Sequence, residues 1–202
     1  VRKLGPLVRL DLFTDAVFAI VITLLALEID LPHNVDQVGL MGALLHMHPI
    51  FLAHMISFAV LGIEWIDHHS MFEVPTSCTR PLVFSNLLFC FTLTGMPFLT
   101  KLLGHFPDSK VAVMLYSIGI LAMTLGKELI WWVIQKQGVS TTSPKVALRY
   151  GPAVIVSVLA AGLALLQPKI AVGLLILFGI YSVVIRLGFR GTNHSEHQTE
   201  TN

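Results

Sequence analysis

Apolar runs dominate the chain, and six come near the length of about 20 residues that a bilayer crossing requires. They fall at roughly 12–31, 49–72, 81–103, 109–135, 146–166 and 169–189. Proline punctuates them. Pro32 stops the first run, the second ends before Pro75, and Pro168 ends the fifth. Pro97 lies inside the third and predicts a kink or early end there, because its ring removes one N–H and clashes with the preceding turn. Between the first two runs, residues 36–47 (DQVGLMGALLHM) read as a short amphipathic helix. Residues 191–202 are polar and read as a disordered tail. No linker divides the rest, so the expectation is an all-α membrane protein with six spans in a single domain, residues 1–190.

Composition agrees with the pattern. The 202 residues are 54% hydrophobic and 12% charged, against about 25% charged in soluble domains, with a mean hydropathy of +0.77. A net charge of +1 and the lack of a basic run give no reason to expect nucleic acid. Cys78 and Cys90 lack metal-ligand spacing and lie in or beside apolar runs, which argues against a disulfide framework. The first run has no small-residue cleavage site after it and is read as a span rather than a signal peptide. Lys and Arg placement orients the chain. With the N-terminus inside, Arg2, Lys3, Arg9, Arg80, Lys136, Lys145, Arg149, Arg186 and Arg190 are cytoplasmic, and only Lys101, Lys110 and Lys169 are outside. Both termini are then cytoplasmic.

The first run, RLDLFTDAVFAIVITLLALEIDL at 9–31, is the most informative. Arg9, Asp11 and Asp15 mark its entrance, Glu28 and Asp30 its exit, and no charge lies between Ala16 and Leu27. At about 100° per residue, Phe13, Ala16, Leu24, Leu27 and Leu31 fall within about 40° of Ile20. Thr23 flanks that stripe and Asp15 points largely away. Such a stripe usually packs on other helices or on lipid. The acids at its exit also suit a cation-attracting outer mouth above an apolar neck, a construction that gates by dewetting. Asp15, inside the helix, needs a partner, and Arg9 or a histidine is a candidate.

The second run carries GIEWIDHHSMFE at 62–73. Trp65 and His69 share a helix face, as do Glu64 and His68. Trp and His there suit an interface belt. A metal reading would use His46, His48, His54, His68 and His69 with Glu64 and Asp67, but no HExxH-type pair supports it, and no metal or cofactor is expected. Asn86, Lys127 and Glu128 are further buried polar candidates. Lys127 and Glu128 are adjacent and cannot face each other on a helix. No nucleophile elbow, P-loop or dinucleotide fingerprint is present, so an enzyme is not expected. A proton-coupled secondary transporter using Asp15, Glu64 and the histidines is the alternative to a channel, although no internal repeat supports it.

Arg9, Phe13, Thr14 and Asp15 fit an R-x-x-x-F-S-D signature, with Thr in the Ser position, and AVFAIVITLLALEI follows. With W-x-x-H-H-x-x-F at Trp65–Phe72 and N-L-L-F at Asn86–Phe89, the chain resembles the transmembrane protein 175 family over about residues 7–190. The resemblance implies six-helix subunits assembled as homotetramers in a bacterial cell membrane, conducting K⁺ without a selectivity-filter loop. It implies that the first helix lines the pore, with the constriction at Ile20, further apolar layers at Leu24 and Leu27, and Thr23 bearing on selectivity. It also implies a polar network holding that helix, formed by Arg9, Phe13, Thr14 and Asp15 with Trp65, His68 or His69, and Asn86. Thr14 keeps the hydroxyl of the usual Ser and adds a methyl. The implied partners are a homotetramer, lipid and permeant monovalent cations.

Overall fold

A computed structural model describes residues 5–30, 35–74, 77–138, 144–177 and 179–180. Its described residues are helical, with α1 at Gly5–Leu27, α2 at Val35–His46, α3 at His48–Phe72, α4 at Arg80–Thr94, α5 at Met96–His105, α6 at Lys110–Gln135 and α7 at Pro144–Leu166. A further helix, α8, is described over Pro168–Leu177. The tail, Leu31, Arg2, Lys3, Arg186 and Arg190, the side chains of Lys145 and Arg149, and the end of the sixth expected span lie outside the described residues.

Proline explains most helix starts. Pro49, Pro81 and Pro97 all sit in first turns, where the missing N–H costs nothing and the fixed φ suits the helix. α1 is already helical at Gly5, ahead of residue 12, because Arg9 and Asp11 lower the local hydropathy without breaking the helix. Its end comes earlier than expected, in a turn where the N–H groups of Glu28 and Ile29 bond the carbonyls of Leu25 and Ala26. Pro97 acts as its chemistry requires. The third expected span divides at Gly95, whose N–H bonds Leu93, and α5 restarts immediately. Together α4 and α5 still form one apolar stretch of 26 residues. α2 bends at Gly39, where φ is 73°, a region open to glycine without strain. Ser109 caps α6, its Oγ accepting from the Ala112 N–H at 3.4 Å.

Among the described residues, four stretches are long and apolar enough to cross a membrane: Gly5–Leu27, His48–Phe72, Arg80–His105 and Lys110–Gln135. The apolar parts of α7 and α8 are shorter, at Val154–Leu166 and Pro168–Leu177. α1 packs against α3, α4 and α5, and α6 against α4, α5 and α7. Leu7, Phe18, Val21 and Leu25 of α1 meet Leu61, Phe72, Phe89, Leu93, Tyr116 and Met123 in the core. Gly126 lets α6 approach α4: a Cβ there would lie 3.3 Å from the Cα of Phe89.

The burial pattern is that of a protein solvated by lipid. Ser57, Glu64, Asp67, His68, Asn86 and Lys127 are buried, while Phe84 and Phe91 are 79% and 74% exposed. Polar groups cannot be satisfied by hydrocarbon and so turn inward, while large apolar side chains lose nothing by facing it. The chain is an integral membrane protein.

Candidate functional site

The two faces of α1 have opposite environments. Leu7, Leu10, Asp11, Thr14, Phe18, Val21 and Leu25 are buried. On the other face Phe13, Ile20, Leu24 and Leu27 are exposed, Ile20 at 59%, Leu24 at 39% and Leu27 at 72%. The stripe expected from spacing is therefore the face of α1 that this chain leaves uncovered. Ala16 and Thr23 are exposed with it. The Thr23 hydroxyl donates to the Ile20 carbonyl at 2.8 Å, which leaves the lone pairs of its oxygen available outward.

The buried face is tied down by a chain of side-chain hydrogen bonds. Thr14 donates to the Leu10 carbonyl at 3.1 Å and accepts from Asn86 Nδ2 at 2.7 Å. Asn86 Oδ1 in turn accepts from His68 Nε2 at 2.9 Å. Because Asn86 Nδ2 is committed to Thr14, its oxygen faces His68, and the imidazole proton belongs on Nε2. The His68 ring lies between Phe72 and Phe89, with centroids 4.3 and 5.5 Å away and planes within 24° and 4°. Its Nδ1 is buried with no hydrogen-bond partner. One chain of bonds thus joins α1, α4 and α3. Beside it, the Cys90 Sγ lies 3.8 Å from the Thr14 hydroxyl.

Asp15 is half-buried and accepts from the indole Nε1 of Trp65 at 2.9 Å. The partner is an indole, not Arg9 or a histidine. His69 stacks on that indole at 5.9 Å, as its spacing in α3 predicts. Arg9 and Phe13 stand apart from these bonds. Both are exposed and line an open cavity of about 400 Å³ with Pro6, Leu10, Cys78, Val83 and Leu87. Of the eight residues implied for the network, the structure brings together Thr14, Asn86 and His68 as one cluster, and Asp15, Trp65 and His69 as another.

Sequence reasoning left Lys127 without a partner. In the structure its ammonium lies 2.8 Å from Glu64 Oε2 and 3.0 Å from Asp67 Oδ2, all three residues being buried. The signal was present in the spacing, since Glu64 and Asp67 are three apart and share one face of α3. Both acids are thereby engaged by a lysine. Among the described residues no group of three His, Cys, Asp or Glu is placed to hold a metal ion. A buried hydroxyl chain was also missed: Thr100 donates to Ser57 at 2.7 Å, and Ser57 meets the Tyr116 hydroxyl at 2.9 Å.

At the C-terminal end of α1, Glu28 and Asp30 both meet the Lys101 ammonium of α5, at 2.8 and 3.3 Å. Nearby, His54 Nδ1 lies 3.3 Å from the Leu25 carbonyl.

Comparison with known proteins bears on this arrangement. Residues 9–97, from the signature arginine to the helix-breaking proline, match the family model described as endosomal/lysosomal potassium channel TMEM175. A protein named as a potassium channel in Streptomyces collinus is 37% identical over 134 residues, covering 64% of this chain and 65% of that protein. Another so named, from Chamaesiphon minutus, is 36% identical over 128 residues, covering 61% and 63%. The aligned part of the chain therefore spans a little under two thirds of each of these relatives. The crystal structure of a lysosomal potassium-selective channel TMEM175 homolog from Chamaesiphon minutus superposes with a TM-score of 0.79 at 29% identity, covering 90% of this chain and 98% of that one. Sequence match and fold agree over the helices that carry the polar cluster, and over residues 9–97 the chain is similar to the TMEM175 family of ion channels.

Proposed function

We propose that the chain is one subunit of a potassium-permeable cation channel, a homotetramer in a bacterial cell membrane with both termini cytoplasmic. Each subunit supplies six spans from a single domain, residues 1–190, and α1 lines the pore. The observation that carries this reading is the uncovered apolar face of α1, set opposite a face fixed by buried polar bonds. A helix held so firmly on one side presents Ile20, Leu24 and Leu27 in a defined direction. In this reading Ile20 is the constriction, and Leu24 and Leu27 extend the neck over about 10 Å at about 1.5 Å per residue. The network residues Thr14, Asp15, Trp65, His68, His69 and Asn86 hold the helix from behind. Arg9 and Phe13 lie at its cytoplasmic end, and Glu28 and Asp30 at the outer mouth.

An apolar neck cannot replace an ion's hydration shell, so its wetting decides whether ions pass. The outward lone pairs of Thr23 are the nearest oxygen atoms that could assist. K⁺ sheds water more readily than Na⁺, so such a neck favours K⁺, and modestly. The test is reconstitution in planar bilayers with opposed K⁺ and Na⁺ gradients. Discrete openings with a reversal potential displaced toward that of K⁺ are expected. A folded, reconstituted protein that passes no K⁺ current overturns the reading. Saturable, pH-coupled flux without openings replaces it with a transporter.

A further inference from the structure

Resting on the reading of α1 as the pore helix, we propose that Lys101 sets the charge of the outer mouth, and thereby the rate at which cations enter. Glu28 and Asp30 follow the last turn of α1 and would leave two carboxylates per subunit at that mouth. The α5 lysine lies 2.8 Å from Glu28 and 3.3 Å from Asp30, which leaves one uncompensated negative charge per subunit. In a tetramer the mouth then carries four such charges in place of eight.

The environment of this triad separates it from the buried Lys127. The Lys127 side chain is 2% exposed and its acids, Glu64 and Asp67, are 7% and 0% exposed, so it joins helices. The side chains of Lys101 and Asp30 are 41% and 64% exposed. An ion pair this open contributes little to stability, because water and salt screen it. Its charge still acts through the solution at the mouth, where a fixed potential raises or lowers the local cation concentration. The Lys101 ammonium therefore limits an attraction that Glu28 and Asp30 would otherwise exert in full.

The test is single-channel recording of Lys101→Gln, Lys101→Arg and Glu28→Gln in symmetrical KCl. For four unit charges about 10 Å from the axis in water, Coulomb's law with a Debye length of about 10 Å raises the local K⁺ concentration roughly two- to threefold at ~0.1 M. Lys101→Gln is expected to raise the limb of current entering from the outer side by that factor. At ~1 M, where the Debye length is about 3 Å, the gain falls to about 10%. Lys101→Arg keeps the wild-type current, and Glu28→Gln lowers the same limb by a similar factor. A Lys101→Gln channel with wild-type current at low salt overturns the proposal. So does an equal gain in both limbs that salt does not remove, since that would be the mark of a loosened helix contact. A wild-type protein without K⁺ current sinks the pore reading itself, a result distinct from either.

Discussion

Asn86→Leu tests whether the polar cluster behind α1 acts as a unit. Leucine nearly matches asparagine in shape and offers no hydrogen bond. Two bonds are lost, from His68 Nε2 at 2.9 Å and to Thr14 at 2.7 Å. Their costs differ. Thr14 keeps its bond to the Leu10 carbonyl and loses only a donor to a lone pair, an interhelical term of about 0.6 kcal/mol in membrane proteins. His68 loses the partner of a buried N–H, which costs roughly 1–3 kcal/mol. The sum is about 1.6–3.6 kcal/mol, or a fall in Tm of roughly 3–14 °C for a chain of this size. A second substitution makes the assignment specific. His68 lies stacked between Phe72 and Phe89, a slot shaped for a phenyl ring. His68→Phe added to Asn86→Leu removes the orphaned donor, and replacing both partners by apolar groups approaches neutrality. The double variant is therefore expected to recover at least about half of the lost stability. Cys90, buried beside Thr14, supplies the assay: its reaction with a thiol-sensitive dye during heating in detergent reports opening of the cluster. The half-buried Cys78 is first replaced by serine. Unchanged melting in Asn86→Leu, or a double variant that loses the sum of the two single costs, refutes the account.

Other expectations follow from the same geometry. On the pore reading of α1, Ile20→Asn places amides in the neck and should raise K⁺ current severalfold in bilayer recordings; unchanged current moves the constriction elsewhere. Thr23→Val keeps the shape of the side chain but removes the outward oxygen, so the K⁺/Na⁺ permeability ratio from reversal potentials should fall toward unity. Lys127→Met leaves Glu64 and Asp67 buried without the ammonium and should cost about 3–5 kcal/mol, read as a large drop in Tm. Adding Glu64→Gln and Asp67→Asn should return much of it.

What could be read from the sequence divides along a physical line. Apolar length and proline positions are local properties, so α3 and α6 begin and end within a residue or so of their expected bounds, and Pro97 broke the third span. The stripe on α1 was legible for the same reason, because helical spacing fixes which residues share a face. Partnerships between helices were not legible. Asp15 finds Trp65 fifty residues away, Lys127 finds Asp67 sixty residues back, and Lys101 reaches Asp30 across seventy-one. Each depends on which helices are neighbours, and hydropathy carries no information on that. Family resemblance named Thr14, His68 and Asn86 together, and in the structure hydrogen bonds join the three. The resemblance did not separate the implied network into two clusters, nor set Arg9 and Phe13 apart on an open cavity.

The constraints on α1 restrict how its apolar face could open and close. Thr14 and Asp15 are bonded to α4 and α3 near one end, and Glu28 and Asp30 are paired with α5 at the other. From Thr14 to Glu28 is about 21 Å along the helix at about 1.5 Å per residue, and the whole exposed stretch from Ile20 to Leu27 lies between these ties. Rotating α1 by one residue, about 100°, would carry Thr14 and Asp15 away from Asn86 and Trp65 together. It would also expose Phe18 and Leu25, both buried here, and fully burying one such side chain is worth about 1.5–3 kcal/mol. Across the copies of an oligomer these losses multiply, and nothing in the rotated helix replaces them. A small radial shift of the stripe keeps both sets of bonds. In a narrow apolar neck it suffices to change wetting, which responds steeply to radius. On the proposed reading of α1 as the pore helix, the bonds of Thr14 and Asp15 and the burial of Phe18 and Leu25 therefore favour a gate that dilates over one that turns.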